Sequence, residues 1–553
     1  MAATAATADA NILEKQNLDH VEYDNNLATA YTGKNLVEDS KDYDDIEHQL
    51  TPREALKLYP KAIAWSLIIS LTVVMEGYDM NLIGNFYAYD TFKAKYGEYH
   101  AGTGYQVTAP WQAALSNGPT IGTFIGGLIN GYVSTRFGHR RVLIVSLVFM
   151  AAFIFITFFA PTVQVLFVGE LLCGIPWGIF ATIGPAYASE VCPMVLRGYL
   201  TSYINMCWAI GQLISAGVLQ GLQSRTDEWG YRIPFAVQWV WPLPILVAVL
   251  FAPESPWWLV RTGRLADAER SVSRLSSKNA PSTARQTVAM MVHTNKLELE
   301  IETSQSYLAC FKGTDLRRTE IACFIMAGQV MSGTTFAYSP TYFFTLAGLS
   351  AGDAYKMNLG GTGVAFCGTV FSWFVMTRFG RRSIYVGGMT IMFALLLLIG
   401  FLAIPKNQSG VIWGQAAICF LWLATYSSTV GPIGWTIPAE ISSTRLRQNS
   451  VVLARNFYYI IQIIANVIEP YMINPTEGDW KGKTAFFWAG TAFVTVVWAY
   501  FRLPESKGRT YAELDIMFHN HVSARKFNDY VVDPYSSDKP LDQVGRDKEG
   551  KAT

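Results

Sequence analysis

Glu76 and Asp79 stand three residues apart in VVMEGYDMNLIG (73–84), at the end of the uncharged run AIAWSLIISLTVVM (62–75). An ion at membrane depth costs about 2.5–3.5 kcal/mol on insertion scales, so such a side chain normally faces a cavity and has a use. On a helix, positions i and i+3 share a face. Two like charges there hinder each other's ionisation, as does partial loss of water. Carboxyls so placed can load a proton on one side of a membrane and release it on the other. The plainer alternative is a pair of helix-end acids near the outer interface. Glu170, within FVGELLCGIPWG (167–178), is a third acid in an apolar run. Counting from the run ends at about 1.5 Å per residue puts Glu170 and Asp79 at similar depth in the outer half.

These acids need helices to hold them. The chain has 553 residues, 51% hydrophobic and only 15% charged, where a soluble domain carries about 25% charged residues. Net charge is +1, which gives no bulk attraction for nucleic acid. Twelve apolar runs recur, at about 62–86, 109–134, 140–160, 164–188, 199–221, 233–252, 320–345, 357–377, 383–403, 411–436, 448–470 and 484–503. They are numbered here as spans one to twelve. Each is long enough to cross about 30 Å of hydrocarbon. Each must be helical, because lipid offers backbone groups no hydrogen-bond partners. The expected fold is an all-α membrane protein of twelve transmembrane helices in two six-helix halves.

The expected organisation is a disordered cytosolic tail (1–60), a first half (61–252), a cytosolic central loop with short helices (253–318), a second half (319–503) and a cytosolic C-terminal tail (504–553). The acidic N-terminal sixty residues lack the basic-then-apolar pattern of a secretory signal. Basic loops fall on one side, at RFGHRR (136–141), Arg197, 253–318, RFGRR (378–382), Arg445 with Arg447, and ESKGRT (505–510). That side is the cytosol, so both termini are cytosolic in an expected plasma-membrane setting. The sequon at Asn407 lies in a short outward loop. The seven cysteines form no CxxC pair and read as small core residues. The seven histidines lie outside the expected spans, which argues against a metal site.

Motifs repeat in order. TRFGHRR (135–141) recurs as TRFGRRS (377–383). PAYASEVCPMVLRG (185–198) recurs as IPAEISSTRLRQ (437–448), with Glu190 and Arg197 matched by Glu440 and Arg447. APESP (252–256) recurs as LPESK (503–507). Three motifs in one order mean a duplicated six-helix unit, and parallel repeats are a transporter architecture with the ligand at the midplane.

On GYD (77–79), TRFGHRR, the Glu190 and Arg197 pair, PESP (253–256), GPIGW (431–435) and PESKGRT (504–510), the chain resembles a sugar porter of the major facilitator superfamily over roughly 62–518. The resemblance implies a cytosolic salt-bridge gate of Arg136, Glu190, Arg197, Arg378, Glu440 and Arg447, tying the halves together while the cavity faces out. At Gly169-Glu170, sugar porters usually have Gly-Arg, and the arginine pairs with the span-one aspartate. Here an acid replaces it. EGYD, Glu170 and ARN (454–456) resemble the fungal α-glucoside (maltose):proton symporters. That implies a proton-coupling set of Glu76, Asp79, Glu170 and Arg455. Depth counting places Arg455 about two turns from the cytosolic end of span eleven. It either attracts the acids across the cavity or acts near an inner gate.

Family positions imply sugar-binding residues Asn205, Gln212, Gln329, Trp435 and Asn456. The usual second glutamine is Val330 and the later asparagine is Thr335. The glycine-rich GGTGVAFCG (360–368) lies inside span eight and reads as helix packing rather than nucleotide binding. No catalytic constellation or metal-ligand cluster stands out, so the chain is not expected to be an enzyme, and no cofactor is implied beyond the coupling proton. Expected partners are a sugar, with a disaccharide favoured, and membrane lipid, with no nucleic acid. Lysines in both tails are open to ubiquitination machinery. The favoured function is proton-coupled uptake of α-glucosides such as maltose. The alternatives are a hexose transporter and a non-transporting sugar sensor.

Overall fold

The computed structural model describes residues 46, 49–100, 104–277, 283–301, 307–337, 351–404, 409–443, 446–473, 478, 480–509, 511–532 and 545–547. Most of the expected N-terminal tail lies outside the described residues, as does Asn407. The near end of that tail is not disordered: Pro52–Leu58 is a helix. Thr51 and Glu54 form a capping box there, the Glu54 N–H donating to Thr51 Oγ1 at 3.4 Å and the Thr51 N–H to Glu54 Oε2 at 3.1 Å. The Thr51 hydroxyl, and then its N–H, hold Glu54 below the ordinary carboxylate range.

Ten helices among the described residues are long and apolar enough to cross a membrane: Pro60–Phe86, His139–Phe158, Val163–Val191, Val195–Leu222, Trp229–Phe251, Gly352–Arg378, Arg381–Leu402, Trp413–Ile441, Asn449–Ile473 and Lys481–Arg502. They occupy spans one, three to six and eight to twelve. Ala109–Phe137 takes the place of span two. Gly313–Met331, continued by Thr334–Ala337, takes the place of span seven. Both are more polar than their neighbours.

Three breaks position side chains. Span one parts into Pro60–Ser70 and Val73–Phe86. Span six changes to a 3-10 turn at Gln238–Val240, just before Pro242, whose missing N–H cannot continue the α-helical ladder. Span ten restarts at Val430 after Ser428.

Within the first half, spans two and four approach closely through glycine. A Cβ at Gly126 would stand 2.0 Å from the Ile175 carbonyl oxygen, and one at Gly178 2.1 Å from that of Thr123. Across the halves, span two packs on span eleven and span five on span eight. Exposed Val145, Val148, Phe149 and Phe155 on span three, with Phe371 and Phe374 on span eight, give an apolar outer surface suited to lipid. Within the expected glycine-rich packing run, Gly361 and Gly368 do face span ten side chains, whereas Gly363 meets nothing.

The central loop folds as Pro256–Arg261, Leu265–Leu275 and Ala284–Ile301 around Trp258, Val272 and Val288. The expected C-terminal tail is folded over its described part. Helix Tyr511–His519 docks on the second half, with Phe518 and Phe527 buried and Asp515 Oδ1 2.5 Å from Arg318 Nη1. All seven cysteines are free.

Candidate functional site: a charged cavity between two halves

Span one carries its acids into the interior. Glu76 is 1% exposed, Asp79 and Glu170 are 0%, and Arg455 is 4%. The expected like-charged pair of Glu76 and Asp79 does not form. Residues three apart diverge by about 60° around a helix, and span one is wedged between different neighbours. Glu76 turns to span eleven, where Arg455 Nη2 donates to its Oε1 at 2.9 Å and the Tyr459 hydroxyl lies 3.4 Å away. Asp79 turns to spans four and six. Its carboxyl interacts directly with that of Glu170, and Gln238 Nε2 donates to its Oδ1 at 2.5 Å. Asp79 Oδ2 and both Glu170 oxygens are buried and have no hydrogen-bond partner among the described residues.

The charged set is therefore two pairs. Glu76 with Arg455 is a buried ion pair that joins the halves. Asp79 with Glu170 is an acid pair inside the first half. The Arg455 guanidinium also lies over Trp435, 4.3 Å from the ring centroid, and over Tyr458 and Tyr459 at 4.5 and 4.8 Å. Stacking of this kind stabilises a cation away from water.

Asp79 lines a cavity of about 110 Å³ together with Asn81, Trp208, Gln212, Gln462 and Asn466. Of the five expected sugar residues, only Gln212 lines it. Asn205 is buried at the interface, its Nδ2 donating to Thr369 Oγ1 at 3.4 Å. Gln329 accepts from the Tyr426 hydroxyl at 2.9 Å. Trp435 lies beneath Arg455. Asn456 is turned to span two, where its Oδ1 would stand 2.8 Å from a Cβ at Gly127. Gln238, Asn81, Gln462 and Asn466 were not singled out in the sequence. A polar residue beside the span-six prolines, and amides one turn apart on span eleven, were the available signals.

At the end of the bundle expected to face the cytosol, the repeated motifs build one network twice. Glu254 of PESP accepts from the backbone N–H of His139 at 3.0 Å and of Arg140 at 3.2 Å. Glu505 of PESK accepts from that of Arg381 at 2.7 Å and of Arg382 at 3.2 Å. Each glutamate satisfies the open N-terminus of span three or span nine. The next serine in each motif donates to the helix-end glutamate: Ser255 to Glu190 at 2.5 Å, and Ser506 to Glu440 at 2.7 Å.

Among the described residues, the two helix-end glutamates also meet partners outside the expected gate set. Glu190 meets His139 at 3.2 Å and Arg261 at 3.4 Å, and Glu440 meets Arg381 at 3.1 Å. Arg136 instead donates to the Tyr132 hydroxyl at 3.0 Å. Arg378 stacks on Phe374 at 4.8 Å. Both arginines precede the glycine of their loop and lie on the exposed side of the helix end, whereas the residue after the glycine points inward. His139, expected among loop histidines, is buried at the start of span three. Arg447 lines a cytosolic recess of about 430 Å³ with Glu190. Arg197 lines a second, of about 590 Å³, with Glu440 and Arg381. Each half's arginine thus lines the recess of the other half's glutamate.

A family profile described as "Sugar (and other) transporter" matches residues 65–518. The maltose permease MAL31 of Saccharomyces cerevisiae is 37% identical over 540 residues, covering 94% of this chain and 87% of the permease. A general alpha-glucoside permease of the same species is 36% identical over 541 residues, covering 94% and 87%. Among solved structures, the proton:xylose symporter XylE bound to 6-bromo-6-deoxy-D-glucose superposes with a TM-score of 0.71 at 19% identity, over 83% of this chain and 99% of that one. XylE from E. coli in a partially occluded inward-open conformation gives 0.66 at 19% identity, over 82% and 100%. Motifs, fold and relatives agree that this chain is a multi-pass membrane transporter, not an enzyme, and belongs to the sugar transporter family of the major facilitator superfamily.

Proposed function

We propose that the chain imports α-glucosides, maltose foremost, together with protons across the plasma membrane by alternating access. The reading rests on the contact between Asp79 and Glu170 at the wall of the central cavity. The names of the relatives, a maltose permease and an α-glucoside permease, supply the substrate class. In this mechanism the outward-facing cavity admits sugar and a proton. The proton is shared by Asp79 and Glu170, while Gln238 holds Asp79 in place. Neutralising the pair removes the electrostatic cost of closing a dry cavity around it. The Glu76–Arg455 pair links span one to span eleven across the halves. It is one of the contacts that the two arrangements must remake. Opening to the cytosol exposes the acid pair to a lower proton activity, so proton and sugar leave together.

The test is uptake of labelled maltose and glucose in cells lacking their own carriers, with and without a protonophore. Accumulation of maltose that collapses with the gradient is expected. Gradient-insensitive equilibration of glucose instead marks a hexose carrier. No flux of either sugar, with signalling intact, marks a sensor.

A further inference from the structure

Asp79 of the acid pair stands at one wall of the central cavity. Another wall carries carboxamides that do not belong to the charged set, and of these only Gln212 is among the expected sugar residues. Gln462 Nε2 donates to Asn466 Oδ1 at 2.7 Å and to Thr335 Oγ1 at 3.3 Å. Asn466 Nδ2 donates in turn to Asn117 Oδ1 and to the Ser116 carbonyl, both at 3.3 Å. The chain of bonds runs from spans seven and eleven of the second half to span two of the first. Also at the cavity, Asn81 Nδ2 donates to the Gln212 carbonyl at 3.3 Å. Gln212 Oε1 is buried without a partner among the described residues, and Trp208 supplies an aromatic surface.

Three features mark this wall as a place for sugar. Carboxamides both donate and accept, as pairs of ring hydroxyls do. Four of the five amide bonds named are 3.3 Å long, beyond the usual 2.7–3.2 Å range for N–H···O, so exchanging them for bonds to hydroxyls loses little. The polar lining also climbs span eleven from Tyr458 to Asn466, a rise of about 12 Å, longer than one pyranose ring and matched to two. With the wall closed on itself the cavity is about 110 Å³, below the ~300–1,000 Å³ of sites that enclose drug-sized ligands. A disaccharide enters only when the amide chain parts.

We propose that Gln462 and Asn466, with Asn81 and Gln212 on the cavity lining and Asn117 as the partner of Asn466 across the halves, form a second sugar subsite that holds the outer ring of a disaccharide. Its amide bonds across the halves are exchanged for bonds to sugar hydroxyls on binding. This rests on the α-glucoside reading above and assigns the residues that select two rings over one. A single-ring sugar leaves the wall bonded to itself and draws no affinity from it.

The experiment compares maltose with methyl α-D-glucoside, which keeps the α-linked glucose and lacks the second ring, each measured by uptake and by competition. Asn466→Ala and Asn117→Ala are assayed alongside the wild type, with surface level followed through an epitope tag. Asn117→Ser and Gln462→Asn retain a polar group and serve where an alanine variant fails to reach the membrane. The KM for maltose is expected to rise about tenfold (~1.4 kcal/mol), while that for methyl α-D-glucoside changes less than about twofold and protonophore sensitivity is kept. Equal changes for both sugars, or no change for either, in variants of a wild type that carries maltose overturn the subsite alone. A wild type that takes up no α-glucoside overturns the proposed function, and this inference with it.

Discussion

Asp79 and Glu170 are the two residues on which the proposed proton coupling rests. Asp79→Asn and Glu170→Gln keep the size and polarity of each side chain and remove its titration. Each is expected to abolish uphill accumulation of maltose while the protein still reaches the membrane, as read by uptake together with surface labelling. Wild-type accumulation in both variants would end the assignment. Glu76 and Arg455 make a different demand, because each is buried with the other as its charged partner. Removing one member of such a pair costs about 3–5 kcal/mol by leaving the other charge uncompensated. Glu76→Gln or Arg455→Gln alone should therefore lower the melting temperature in detergent sharply, and the double variant should recover much of the loss. A double variant no more stable than either single one would show that the two side chains act independently.

The elements around the repeated motifs carry the duplication furthest, and they also break it. Span three begins with His139 where span nine begins with Arg381, each directly after the loop glycine and each against the helix-end glutamate of its own half. The imidazole shares its surroundings with Glu190, Glu254, Arg261 and the Tyr187 ring. An imidazole changes charge between about pH 5 and 8, and a guanidinium does not. Loss of a proton from the imidazole would weaken its hold on Glu190, while the Arg381–Glu440 pair would persist. His139→Arg should accordingly flatten the dependence of maltose exchange on cytosolic pH, measured in vesicles at fixed outer pH. A profile as steep as the wild type's would show that His139 is a structural contact only. Glu254 and Glu505 are the fixed parts of the same assembly, holding helix N-termini through backbone N–H groups.

In the proposed mechanism the whole molecule works by changing how the halves meet. At the outer side the Tyr355 hydroxyl donates to the Asn85 carbonyl at 2.8 Å, joining span eight to span one. A hydrogen bond of this kind contributes about 0.5–1.5 kcal/mol net, enough to shift a two-state population several-fold. Tyr355→Phe should raise the outward-open fraction by that amount. Labelling of a cysteine placed at Ser116, on the cavity wall, with a membrane-impermeant reagent reads it out. Unchanged labelling would place this bond outside the opening motion.

The sequence by itself determined what lipid dictates. Runs of about 20 apolar residues have to be helices, basic loops have to share one side of the membrane, and three motifs repeated in order require two like halves. It also marked Glu76, Asp79, Glu170 and Arg455 as buried charges, because an acid or arginine inside an apolar run stands out one residue at a time. Tertiary structure alone decided which of them meet. A helix face spans about 100°, and neighbours on three sides compete for it, so Glu76 and Asp79 part company toward Arg455 and Glu170. The same holds for the amides: Asn117 and Asn466 lie in different halves, far apart in the chain, and only the packing of span two on span eleven brings them within hydrogen-bond reach. Burial and helix spacing are local properties of a chain, whereas partnership across helices depends on rotation and depth that no single span encodes.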